Sequence, residues 1–146
     1  MVNKIGIIGC GWLGLPLAES LVNGGCEVRG TTTSKNKMDV LEEKGIQPFL
    51  ISISEKEING DIHAFLSSIE VLIINIPPKL RGKGPKESYI DKIKLLYLAI
   101  KKSDVKNIIF ASSTAVYGDA KGIVTEETKP LPTTASGIQL LQLSLI

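Results

Sequence analysis

Gly9, Gly11 and Gly14 stand in G-x-G-x-x-G spacing near the start of the chain, within the run Lys4 to Gly14, KIGIIGCGWLG. Ile5, Ile7 and Ile8 read as a short buried strand ahead of them, and Leu13, Leu17 and Leu21 set a helical apolar period behind them. In that context each glycine has its own task. Gly9 lets the chain turn sharply off the strand, Gly11 carries no side chain to hold a pyrophosphate away, and Gly14 lets the helix lie close against the sheet. N–H groups at the helix start, aided by the helix dipole, would face the phosphates. Gly9, Gly11, Trp12, Leu13 and Gly14 are therefore the expected phosphate-binding residues of a dinucleotide site.

Two further stretches belong to the same chemistry. About 20 residues past the glycines, a site of this kind normally carries an acid for the ribose hydroxyls of NAD. Here that stretch is Thr31-Thr32-Thr33-Ser34-Lys35, which has no carboxylate. Thr32, Thr33, Ser34 and Lys35 offer hydroxyls and an ammonium, which suit a 2′-phosphate, so NADP is favoured over NAD. Ser34 is also placed to cap the next helix. Asn75, Ile76 and Pro77 end an apolar strand at Pro77-Pro78, at the edge where open α/β sheets bind ligands. Lys79 to Lys86 is a basic, glycine-containing loop that could close over a phosphate-bearing ligand or be an ordinary loop. Cys10 and Cys26 form no C-x-x-C, and His63, the single histidine, has no ligating neighbour in sequence, so no metal site is expected.

The elements that must position these residues alternate. Strands are expected near 5–8, 26–32, 46–53, 70–76 and 107–111, with helices near 13–23, 35–44, 61–67 and 87–103 between them. Such alternation implies a Rossmann-like α/β fold, a doubly wound parallel sheet in the order 3-2-1-4-5 with right-handed crossovers. The helix at 87–103 sets Tyr89, Ile90, Ile93, Leu96, Tyr97 and Ile100 on one stripe, with Leu95 and Leu98 on the polar side.

Residues 1–146 read as one domain, long enough for a sizeable core, with 43% hydrophobic and 22% charged residues. A net charge of +2 gives no argument for nucleic acid. No apolar run approaches the ~20 residues that a membrane span needs, and the first residues lack a signal-peptide pattern. Two cysteines without a disulfide pattern suit a reducing cytoplasm.

After the fifth strand the chain reads Ser112-Ser113-Thr114-Ala115-Val116-Tyr117-Gly118, followed by Glu126-Glu127-Thr128 and Pro130-Leu131-Pro132. On these residues, with the glycine turn, it resembles the extended, atypical short-chain dehydrogenase/reductase family, the nucleotide-sugar epimerases and dehydratases. The glycine turn alone would equally suit a 3-hydroxyacid or 6-phosphogluconate type dehydrogenase, but that type has no reason to place Ser-Ser-Thr-Ala-Val-Tyr-Gly after strand five. The resemblance implies a sugar-like substrate and a hydrogen bond from Ser113 to its reacting oxygen. It also marks two departures. The family's Tyr-x-x-x-Lys pair, its acid/base machinery, falls on Ser136 and Leu140. The family also continues into a substrate domain, so the chain reads as the N-terminal cofactor-binding portion, inactive or incomplete by itself. A non-enzymatic NAD(P)-binding or sensing module is the alternative reading, and a pure interaction subunit a third. Family members commonly pair through two helices. Leu95 and Leu98, with Ile138, Leu140, Leu141, Leu143, Leu145 and Ile146 spread around the last helix, therefore lead to the expectation of a homodimer or of a tail lodged on a neighbouring chain.

Overall fold

A computed structural model describes residues 3–78 and 87–144. Five strands form one parallel sheet in the order β3-β2-β1-β6-β7: β1 (Lys4–Ile8), β2 (Glu27–Thr32), β3 (Gln47–Leu50), β6 (Val71–Ile74) and β7 (Asn107–Phe110). This is the expected 3-2-1-4-5 order, with β4 (Ser52–Ile53) and β5 (Ile58–Asn59) added as a separate antiparallel hairpin. β1 and β6 lie at the centre and are apolar on both faces, as strands covered on both sides must be. On one face Ile8, Leu72 and Ile74 pack under α3 (Ile62–Leu66) and α4 (Tyr89–Ile100). On the other, Ile5, Ile7 and Ile73 pack with α1 (Gly14–Asn23) and α2 (Asn36–Glu43).

Two expectations about the elements change. The strand expected over 46–53 ends at Leu50; beyond it Ile51 is 3% exposed and Gly60 returns alongside. At Gly60, with φ +104°, a Cβ would stand 2.3 Å from the Leu50 carbonyl oxygen, so the hairpin closes onto the strand end only through glycine. In α4 the inward stripe holds Tyr89, Leu96, Ala99 and Ile100 but not Tyr97, which is 50% exposed. Lys92 takes an inward position instead, 5% exposed.

The C-terminal helix α5 (Ala135–Ser144) packs on its own domain. Leu140 is buried against Tyr89 and Val116, with Leu141 and Leu143 beside it, whereas Ile138 is 44% exposed. Leu145 and Ile146 lie outside the described residues, as does the basic loop at 79–86.

Arg29 ties the layers together. Its Nη1 donates to the carbonyls of Ala64, Phe65 and Ser67 at 2.9, 3.0 and 2.6 Å, and its Nε donates to Gln47 Oε1 at 3.0 Å. One cation thereby closes the C-terminal end of α3 onto β2. Hydrogen bonds to charged groups are worth about 1.5–3 kcal/mol, so Arg29→Met should lower the unfolding free energy by about 2 kcal/mol, measured as a reduced urea midpoint at unchanged slope.

Candidate dinucleotide site

β1 runs straight into the glycine turn. Gly9 adopts φ +97°, its N–H donates to Thr31 Oγ1 at 3.0 Å, and its carbonyl accepts from Asn75 Nδ2 at 3.3 Å. The Cys10 N–H donates to the Thr31 carbonyl at 3.0 Å. The turn is thus stitched to β2 on one side and to the end of β6 on the other. A Cβ at Gly9 would lie 2.5 Å from the Asn75 carbonyl oxygen, and one at Gly14 would lie 2.1 Å from the Gly9 carbonyl oxygen. At Gly11 a Cβ would meet nothing within 4 Å. Gly9 and Gly14 are thus demanded by the fold, while the empty space over Gly11 is available to a ligand. α1 begins at the cap residue Leu13 with no side-chain acceptor on its first amides, which suits an incoming phosphate.

Above the turn lies a cleft of about 650 Å³. It brings together Gly9, Gly11, Trp12, Thr32, Thr33, Asn75, Ile76 and Pro77 from the residues expected in sequence. Gly14 lies behind the turn, buried against it, and Leu13, Ser34, Lys35 and Ser113 do not line the cleft. The Thr32 hydroxyl accepts from the Ser34 N–H at 3.1 Å, and that of Thr31 accepts from the Gly9 N–H, so the exposed Thr33 is the threonine of the group best placed to offer its hydroxyl to the cleft. The cation from this stretch that reaches the cleft is Lys37, not Lys35. Ser34 contributes its carbonyl to the start of α2, accepting from Lys37 N at 3.1 Å, while the cap position itself is Lys35.

Sequence reasoning missed Cys10, Thr31, Lys37, Ile51 to Ile53, Glu87 and Lys92 as lining residues. The rule that ligands sit at the carboxyl ends of parallel strands could have found Ile51 to Ile53, had the strand end been placed correctly. Lys92 gave no signal, because a lysine on a helix is ordinarily solvated.

Ser113 lies past the end of β7, exposed, with its Oγ accepting from the Ala115 N–H at 3.2 Å at the start of a 3-10 turn (Thr114–Tyr117). A side chain used this way caps the turn and still holds a free hydroxyl proton. Ser136 is near Thr134, Oγ to Oγ1 at 3.4 Å, and Leu140 is sealed in the core.

Cys10 packs over Gly30 and lines the cleft floor. Burial pushes its thiol up from 9.0 to about 11, opposed by a hydrogen bond with the Thr31 backbone. The folded state therefore holds the thiol proton more tightly than the unfolded chain. The stabilisation from this group is complete below about pH 9 and declines as pH rises toward 11. Urea titrations at pH 8 and pH 11 should show a smaller loss for Cys10→Ala than for the parent.

The comparisons with known proteins agree with this geometry. A family model described as the NAD binding domain of 6-phosphogluconate dehydrogenase matches residues 4–126, and the chain belongs to that family. It is an NAD-binding Rossmann domain. The sequence reading preferred the epimerase-like family and held this type of cofactor domain less likely; the family model names that type, while epimerase/dehydratase-like proteins stand among the similar solved structures. Protein YeeZ of Escherichia coli strain K12 is 35% identical over 144 residues, which cover 97% of this chain and 52% of YeeZ. The chain spans about half the length of the curated relatives it matches. Among solved structures, a Methylobacillus flagellatus protein provisionally described as an NAD-dependent epimerase/dehydratase is 27% identical with a TM-score of 0.73, over 99% of this chain and 50% of that one. UDP-glucuronic acid 4-epimerase from Bacillus cereus, solved in complex with NAD, is 23% identical with a TM-score of 0.75, over 97% of this chain and 49% of that one. At that identity the likeness is one of fold. Among the described residues no helix is long and apolar enough to cross a membrane.

Proposed function

We propose that the chain is the cofactor-binding half of an epimerase/dehydratase-like oxidoreductase acting on a nucleotide-sugar or similar carbonyl/hydroxyl substrate. The observation that carries this reading is the Ser112 to Gly118 stretch, which leaves β7 at the carboxyl edge of the sheet, the edge that also carries the cleft. The Methylobacillus likeness supports it. Ser113 is the group assigned to the substrate's reacting oxygen, where a hydroxyl can hydrogen-bond a carbonyl as hydride arrives or leaves. With Ser136 and Leu140 at the Tyr and Lys positions, this portion by itself should show no turnover. Hydride exchange between NAD(P)H and UDP-sugars by the purified 146 residues would overturn that assignment of the acid/base pair. Two alternatives have an observation each. The buried Leu140 favours a non-enzymatic NAD(P)-binding or sensing module. The matching family model favours a 3-hydroxyacid or 6-phosphogluconate type dehydrogenase. Turnover of 6-phosphogluconate or a 3-hydroxyacid would decide for the dehydrogenase, and UDP-sugar turnover for the epimerase-like reading.

For the cofactor, NADP is preferred in this reading on the absence of a carboxylate in 31–35 and on Thr33 and Lys37 at the cleft. Lys37→Ala should weaken NADP by about tenfold and NAD by less than about threefold, since a point charge matters most to the added phosphate. Isothermal titration with both dinucleotides measures it, and equal losses would remove the NADP preference. Association is part of the proposal: on α4 Leu98 is 56% exposed and Leu95 half-buried, and on α5 Ile138 is 44% exposed. A homodimer through these helices should sediment as a dimer at micromolar concentration, and Leu98→Glu should return it to a monomer.

A further inference from the structure

Glu87 and Lys92 line the same cleft as the glycine turn, yet neither belongs to the phosphate-binding apparatus. Lys92 Nζ lies 3.1 Å from Glu87 Oε2, and the Lys92 side chain is 7% exposed against 42% for Glu87. A buried ammonium is costly unless partnered, and this one is held at the cleft rather than withdrawn from it. The first turn of α4 is fixed there from several sides. The Ser88 N–H donates to Glu55 Oε2 at 2.7 Å, which ties it to the β4–β5 hairpin, and the Tyr89 hydroxyl donates to the Ile76 carbonyl. The charged pair thus stands beside an apolar stretch of the cleft formed by Ile51, Ile53 and Ile76.

In a dinucleotide fold the first three strands hold the adenosine half, with phosphates at the glycine turn. The ends of β2 and β3 and the start of α4 therefore enclose the base. Ile51, Ile53 and Ile76 offer a flat purine apolar contact. Glu87 and Lys92 then supply one acceptor and one donor side by side. Resting on the NAD-binding reading above, we propose that this ion pair reads the 6-amino edge of adenine. The Glu87 carboxylate accepts from the exocyclic amino group, and the Lys92 ammonium, with three donors and one engaged by Glu87, donates to N7, an acceptor that both purines keep. A 6-oxo purine would turn an acceptor onto the carboxylate. The pair therefore selects adenine dinucleotides against hypoxanthine ones, independently of the phosphates.

The test is equilibrium binding of NAD and of nicotinamide hypoxanthine dinucleotide, by calorimetry and by fluorescence of Trp12, the single tryptophan, which lies at the cleft. The parent should bind NAD about tenfold or more tightly than the 6-oxo analogue, the penalty expected when a carboxylate covered by the bound base faces an acceptor instead of a donor. Lys92→Met and Glu87→Gln should each weaken NAD and bring the two affinities within about threefold. Lys92→Met replaces a buried ammonium by an apolar chain of similar length and leaves Glu87 partly solvated, so the fold is retained. Circular dichroism and the melting temperature check that. Equal affinities in the parent, or undiminished discrimination in both variants, overturn the assignment. Failure of the parent to bind either dinucleotide overturns the cofactor reading as well.

Discussion

Gly11→Val is expected to leave the melting temperature close to that of the parent and to weaken NAD binding on the order of a hundredfold, about 2.8 kcal/mol at 1.4 kcal/mol per tenfold. Both halves of that result follow from one observation. A Cβ at Gly11 meets no protein atom within 4 Å, so the folded chain accommodates the side chain without displacement. The space it enters is the space a pyrophosphate needs to reach the turn and the start of α1. Calorimetry for affinity and differential scanning for stability separate the two. Unchanged NAD affinity in a folded Gly11→Val protein would show that the phosphates do not lie over this turn.

Gly14→Ala should produce the opposite pattern, a large loss of stability from a single methyl group. The added Cβ would lie 2.1 Å from the Gly9 carbonyl oxygen and 3.1 Å from its carbon, and both are backbone atoms of a turn held by Thr31 and Asn75. Nothing flexible can yield, so α1 must move off the sheet. Overpacking of this kind costs about 3 kcal/mol or more, a large share of the roughly 5–15 kcal/mol that holds a domain folded. A urea midpoint within error of the parent would show that the turn relaxes more readily than its contacts allow. Taken together, the two variants distinguish a glycine required by the ligand from one required by the fold, a distinction that the G-x-G-x-x-G spacing alone does not make.

Much of the architecture was legible in the residues. Continuous apolar runs such as Val71 to Ile74 are typical of strands covered on both faces, and Gly24-Gly25 breaks the helical pattern as a helix C-terminus does, Gly25 standing at φ +88°. The parallel order of the five main strands then follows from their alternation with helices and from the handedness of the crossovers. The phosphate turn was equally legible, because Gly9, Gly11 and Gly14 meet a local geometric demand set by residues close in sequence. Local demands leave local signatures.

The rest was decided by tertiary structure, for the reason that it depends on contacts between distant segments. Where the third strand stops depends on Gly60 closing against Leu50, just past the last bond to β2, from the Ile51 N–H to the Thr32 carbonyl at 3.1 Å. Lys37 rather than Lys35 reaches the cleft because α2 starts one residue beyond Lys35 and rotates the two side chains to different sides. Lys92 is buried because α4 is held to the hairpin and to the end of β6, so that its ammonium meets Glu87 at the cleft instead of solvent. Helical periodicity places a residue on a stripe, but which part of that stripe faces core, cleft or water is set by what packs against it. By itself, then, the sequence determined the fold class and the place of the phosphates, through glycine and apolar spacing. Only the folded chain decided which charges surround the cleft, because Lys37 and the Glu87–Lys92 pair come from α2 and the start of α4, two distant segments that meet at one edge of the sheet.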